Sequence, residues 1–116
     1  MPTIGTDIEQ IARVERAMAR TPRFAARIFT AAERAYCDGK ARPAQHYTAR
    51  FCAKEAVMKA LATALPMQEI EILRGASGPP TVHVSGQAAV ALQGRTVHLS
   101  LSHAGDYAVA MVLIDD

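Results

Sequence analysis

Residues 49–61 read ARFCAKEAVMKAL. Alanine, leucine, methionine, lysine and glutamate all favour helix, and no glycine or proline interrupts the stretch. Pro43 stands ahead of it, where proline suits a first helical turn, and Pro66 stands behind, so the spacing predicts one long helix from Pro43 to about Leu65. At 100° per residue, Phe51, Glu55, Met58 and Ala62 fall in one narrow stripe with Lys59 at its edge. That stripe sets the Glu55 carboxylate among apolar neighbours. A carboxylate so placed must be neutralised, paired or bound to a cation, because burying it alone is costly. Lys59, one turn on, is an available partner; an oxygen-rich cation site is the alternative.

On the N-terminal side, TIGTDIEQI (residues 3–11) alternates as a short strand does, with Ile4 and Ile8 on one side and Gly5, Asp7 and Glu9 on the other. Two carboxylates therefore share a face. Joined with Glu55 they would make the kind of oxygen cluster that holds Mg²⁺, which takes one or two carboxylates and leaves room for phosphate oxygens and water. The ordinary reading of Asp7 and Glu9 is that they face water at a strand end. Residues Ile11 to Arg20 have helical composition, and Arg13, Arg16 and Arg20, extended by Arg23, form a basic stripe. Such a stripe is by default a solvated face, but its one-sidedness suits an acidic partner. Thr21 and Pro22 are expected to restart a helix, and Thr30 with Glu33 reads as a capping box.

On the C-terminal side the pattern turns to strands: QEIEIL at 68–73 and TVHVS at 81–85, then a short helical piece, GQAAVAL. TVHLSLS at 96–102 alternates, the turn HAGD follows, and YAVAMVLI returns as a near-continuous buried strand. Helices first and a mostly antiparallel sheet afterwards predict an α+β fold. The 116 residues suit one domain, taken as 1–116, able to bury about two thirds of its unfolded surface. A net charge of +2 is too mild to argue for nucleic acid or membrane binding. The longest apolar run, AVAMVLI, is far too short to span a bilayer, and no signal-like segment opens the chain, so a cytoplasmic location is expected. Cys37 and Cys52 lack companions at ligand spacing and are read as free thiols. His83 and His98 are read as surface residues; Ser102 and His103, at a strand-to-turn corner, could converge on an anion.

Four stretches also carry a resemblance. IGTDIEQIARVE, TPRFAARIFTAAE, RFCAKEAVMKAL and HLSLSHAGDYAVAMVLI resemble, in order, the signature segments of the holo-acyl-carrier-protein synthase family, the short 4'-phosphopantetheinyl transferases. The resemblance implies transfer of the phosphopantetheine arm of coenzyme A to a serine of apo acyl carrier protein, as in fatty acid or polyketide biosynthesis. It implies Mg²⁺ held by Asp7 and Glu55, with Glu55 also accepting the serine proton and Lys59 neutralising the transferred phosphoryl group. Glu9, part of an Asp-x-Glu pair more typical of larger two-domain transferases, is a possible third ligand. Ser102 and His103 are expected near the 3'-phosphate of coenzyme A, with Arg50 and Lys54 as auxiliary phosphate contacts. Arg13, Arg20 and Arg23 match positions that dock the carrier's acidic helix; Arg16 joins them by spacing. Short members of the family assemble as trimers with coenzyme A between subunits, so a homotrimer is expected. Many relatives carry a Gly-rich turn after the lysine helix, whereas ALATALPMQEI has no glycine.

Two readings from other classes stand beside this one. A non-catalytic module binding a phosphonucleotide or coenzyme A would explain the basic residues and the Ser-His corner but leave the acidic cluster idle. An RNA-binding domain would need exposed aromatics on its sheet, and the chain has three Phe, three Tyr and no Trp.

Overall fold

The computed structural model describes residues 1–116. Strand β1 (Thr3–Gln10) runs directly into helix α1 (Ile11–Arg20), followed by α2 (Phe24–Ile28), α3 (Ala31–Asp38) and the long α4 (Pro43–Leu61). A 3-10 turn (Met67–Glu69) leads to β2 (Ile70–Leu73) and β3 (Thr81–Val84); α5 (Gly86–Leu92), β4 (Thr96–Ala104) and β5 (Tyr107–Asp115) complete the chain. The order β1-β5-β4 makes a three-stranded antiparallel sheet, and β2 with β3 a separate antiparallel pair. The expected α+β class is the one observed.

Helix α4 lies across one face of the larger sheet. The close approach depends on small residues: a Cβ on Gly5 would run into the Ala56 carbonyl oxygen and the Ala60 nitrogen, and Ala53, Ala56 and Ala60 are all buried. Around this seam Ile70, Ile72, Val112 and Ile114 are completely buried, each contributing roughly 1.5–3 kcal/mol of hydrophobic stabilisation. A second cluster forms where α1, α2 and α3 pack on the first half of α4, around Val14, Phe29, Cys37 and Tyr47.

Three expectations are corrected. Strand β5 is not buried throughout: Ala108, Ala110, Val112 and Ile114 face α4, while Tyr107 and Met111 are exposed, because only one face of the sheet has a helical layer. For the same reason Ile4 and Ile8 of β1 point outward, and the acidic side of the strand faces the helix. Helix α4 stops at Leu61 rather than near Leu65, since Ala62 adopts a left-handed conformation (φ 56°) and the Thr63 N–H turns back to the Met58 carbonyl. Thr21 does not cap α2; its N–H closes α1 on the Ala17 carbonyl, and its own carbonyl accepts from Phe24. The Thr30–Glu33 capping box is present as expected.

Candidate active site

Lys54 and Glu55 sit in the middle of α4, and the fold sends them to different surroundings. The completely buried charge is Lys54, not Glu55. Its ammonium donates to Glu33 Oε1 at 2.8 Å, to the Ile70 carbonyl at 2.6 Å and to the Met67 carbonyl at 2.9 Å. Those three bonds use all three donors, so the expectation that Lys54 contacts phosphate is corrected: it ties α4 to α3 and to the start of β2. Glu33, also fully buried, accepts from the Thr30 N–H at 2.9 Å and, through Oε2, from the Ile72 N–H at 2.9 Å. Burial pulls the Lys54 ammonium below its ordinary value, against the opposing pull of Glu33.

Glu55 is half-buried and makes no ion pair or hydrogen bond within the chain. Its carboxyl is held above the usual range, first by burial and then by the charge of Asp7, with Lys59 opposing and Glu9 adding a smaller push. Strand β1 thus brings Asp7 and Glu9 close enough to α4 for their fields to be felt at Glu55. Lys59 does not pair with Glu55. It donates to Asp7 Oδ1 at 3.1 Å and to the Thr6 carbonyl at 3.0 Å, with its side chain 54% exposed. Asp7 Oδ2 is buried and has no partner. An unpartnered buried carboxylate oxygen beside a second, crowded carboxylate suits a small hard cation such as Mg²⁺.

Glu9 is corrected as a third ligand. No group of three acidic, histidine or cysteine side chains is arranged to hold one metal, and Glu9 turns to Arg13, 4.0 Å away. Beneath the carboxylates the buried Cys52 thiol donates to the Ala108 carbonyl at 3.5 Å; burial, then Asp7, pushes it up to about 12. Burial likewise pushes Cys37 up to about 11, so both thiols stay protonated and neither is poised as a nucleophile.

The first half of α4 builds a different environment. A cavity of about 270 Å³ opens between this helix, the end of β2 and the end of β4, with Gln45, His46, Arg50, Arg74, Ser102 and His103 in its wall. The predicted Ser102, His103 and Arg50 therefore do come together, and Lys54 does not join them. Arg50 is only 3% exposed, and its Nε has no partner. His103 Nε2 lies 3.1 Å from Gln45 Nε2. His46 is pulled below its ordinary value by burial, then by Arg50, Lys40, His103 and Arg74. The positive charge of Arg50 and Arg74 in its wall suits an anionic group such as a phosphate. Sequence reasoning missed Gln45, His46 and Arg74. The i, i+4 spacing of His46 and Arg50 was a usable signal; Arg74, alone after a strand, offered none.

The remaining predicted residues are on the outside. Arg13, Arg16, Arg20 and Arg23 are all exposed along α1 and the turn after it, while Ile11 and Val14 hold the opposite side of that helix in the core. His83 and His98 lie at the surface beside Thr81 and Asp115, as expected. No helix is long and apolar enough to cross a membrane.

The chain is similar to known proteins along nearly its whole length. A curated holo-[acyl-carrier-protein] synthase of Moorella thermoacetica is 45% identical over 96% of this chain and 91% of its own length. One from Koribacter versatilis is 41% identical over 97% and 96%. A solved complex of the Chronobacterium ammoniagenes synthase with coenzyme A superposes with a TM-score of 0.89 at 27% identity, covering 99% of this chain and 97% of that one. The Bacillus anthracis holo-(acyl-carrier-protein) synthase, solved with coenzyme A (3',5'-ADP), gives 0.81 at 32% identity, covering 97% and 95%. With these relatives along nearly its whole length and residues 3–112 matching the family model, the chain belongs to the 4'-phosphopantetheinyl transferase superfamily, among the holo-acyl-carrier-protein synthases.

Proposed function

We propose that residues 1–116 act as a single transferase domain that moves the 4'-phosphopantetheine arm of coenzyme A onto a serine of apo acyl carrier protein, in the cytoplasm. The observation that carries this reading is the division of labour along α4: a cation-lined pocket at one end, and at the other two carboxylates with a buried, unpartnered oxygen on Asp7. A module that only bound coenzyme A would need the first and have no use for the second.

The cation pocket anchors the phosphorylated adenosine end of coenzyme A, with Arg50, Ser102 and His103 in its wall. Asp7 and Glu55 would hold Mg²⁺, which supplies charge neutralisation at the pyrophosphate. Lys59, half-exposed beside Asp7, neutralises the phosphoryl group in transfer. The serine oxygen bonds to the phosphorus that carries the pantetheine arm, and the bond from that phosphorus to the bridging oxygen breaks. The electron pair leaves on adenosine 3',5'-bisphosphate, and the serine proton passes to Glu55. Arg13, Arg16, Arg20 and Arg23, exposed on one side, dock the acidic carrier.

The working unit is a homotrimer with shared sites. Ile4 (68% exposed), Ile8 (60%), Met111 (56%) and Tyr107 (45%) lie on the open face of the sheet, an apolar surface of the kind that another subunit covers. Ser102 pairs with Val109 on that same face, so the pocket wall continues onto it. The pocket lined by Ser102 and His103 and the one lined by Glu55 and Lys59 share no residue.

Incubation with coenzyme A, Mg²⁺ and an apo carrier tests the reading directly. Mass spectrometry should show one phosphopantetheine added per carrier; coenzyme A binding without that addition would leave only the binding module. For the shared site, inactive Asp7→Ala and His103→Ala chains refolded together should regain activity, roughly one interface in four carrying both intact halves. Exchange without recovery would place the whole site in one subunit.

A further inference from the structure

The pocket at the first half of α4 gathers Arg50 and Arg74, with Lys40 close by, before any anion is present, and such charges repel one another. Arg50 has also lost nearly all its water, being 3% exposed. Hydrogen bonding does little to hold it. Its single contact, from Nη1 to the His46 carbonyl, is long at 3.5 Å, its Nε has no partner, and no carboxylate pairs with it. What does lie against it is an aromatic ring. The guanidinium carbon stands 4.2 Å from the centroid of Tyr36, a residue of α3 in the same pocket wall. The Lys40 ammonium lies 4.4 Å from the same centroid, and the His46 ring meets Tyr36 edge-on, 5.9 Å between centroids at 74°.

An aromatic face is negative at its centre and attracts cations, most strongly where water is excluded. We propose that Tyr36 is a positioning residue for the coenzyme pocket: its ring holds the Arg50 guanidinium in place, offsets its repulsion with Lys40 and Arg74, and does so without a carboxylate that would compete with an incoming phosphate. The inference rests on reading this pocket as the coenzyme A site. It assigns a role in the transferase to α3, a helix that otherwise reads as a structural support. A hydrogen bond from the tyrosine hydroxyl is not part of the role, so phenylalanine should serve as well.

Steady-state kinetics with coenzyme A and apo carrier test it. An inactive wild-type protein would overturn the functional reading and this inference with it. Given an active one, Tyr36→Leu and Tyr36→Met should raise KM for coenzyme A roughly fivefold, with kcat and the carrier KM held within about twofold. Tyr36→Phe should bring KM back to the wild-type range. In an Arg50→Gln background, Tyr36→Leu should add little, because the ring and the guanidinium act as one unit. An unchanged KM in folded Tyr36→Leu, equal losses in the Phe and Leu variants, or fully additive losses with Arg50→Gln would each overturn the proposal. Loss of the fold in both Tyr36→Leu and Tyr36→Met, read from thermal melts, would make the ring a structural element and overturn it equally.

Discussion

Lys54 points into the core with its three ammonium donors matched to Glu33 and two backbone carbonyls, whereas Glu55, the next residue, sits half-open beside Asp7 with no partner of its own. Both are charges on a helix that packs against a sheet, and their environments explain their different uses. A buried charge is tolerable when every hydrogen-bonding position is filled, and it then fixes the elements around it. A charge left crowded by like neighbours is held in readiness for something absent from the chain. The contrast separates structural from chemical residues more sharply than residue type or spacing does.

The largest effect expected from breaking the contrast is on stability. Lys54→Met leaves Glu33 buried without its cation and should lower the unfolding free energy by ~3–5 kcal/mol, read by urea denaturation. Turnover per folded molecule should survive in the cold. If instead stability holds and KM for coenzyme A rises, Lys54 belongs with the phosphate contacts after all.

On the other side of the pair the loss should fall on catalysis. Asp7→Asn and Glu55→Gln should each lower kcat on the order of a hundredfold at saturating Mg²⁺, and removal of divalent metal with a chelator should silence the wild type. The fold should not suffer. Because the folded protein holds the Glu55 carboxyl above its unfolded value, ionising it costs stability, and that cost appears as pH rises through the raised range. Metal-free Glu55→Gln should therefore melt above the wild type at neutral pH, with the gap closing below the ordinary carboxylate range. A variant that melts lower at neutral pH would show that Glu55 stabilises the fold.

The exposed arginines provide a third kind of charge, neither buried nor crowded. Arg13→Glu or Arg20→Glu should raise KM for the carrier roughly tenfold at low salt and flatten its salt dependence, leaving coenzyme A affinity alone. Loss of coenzyme affinity without loss of carrier affinity would move the stripe to the other substrate. The smallest effect concerns the helix end beyond Lys59. Ala62 occupies a left-handed conformation that glycine adopts freely, so Ala62→Gly should stabilise by roughly 0.5–1 kcal/mol in thermal melts. An equal destabilisation would mean that the alanine methyl packs usefully there.

Much of the fold was legible along the chain because local rules govern it. The Thr30–Glu33 box, the bounds of α1, the piece over 86–92 and the two C-terminal strands each depend on neighbours in sequence. The site was legible in part. Asp7 and Glu9 share a face of β1 because strands alternate, and the four family-like stretches pointed to Ser102, His103, Arg50 and Glu55. Periodicity failed where two layers compete for one element. It placed Glu55 on the packing side of α4, but that helix is covered on several sides, and the most enclosed side is the one carrying Cys52, Ala56 and Ala60. On β1 it separated Ile4 and Ile8 from Gly5, Asp7 and Glu9 without saying which side packs, and Gly5 is the residue that lets α4 approach.

What the sequence by itself determined is therefore the inventory and its local order: which segments are helical or extended, where caps and turns fall, and which charged residues stand in family-like positions. Tertiary structure alone decided which of those charges is spent on the fold and which is kept for chemistry. Glu33 reaches Lys54 across 21 residues of chain, and Asp7 reaches Lys59 across 52. Contacts of that length carry no periodic signature, and a charge's free energy depends on the water and the partners around it, which exist only once the layers have closed.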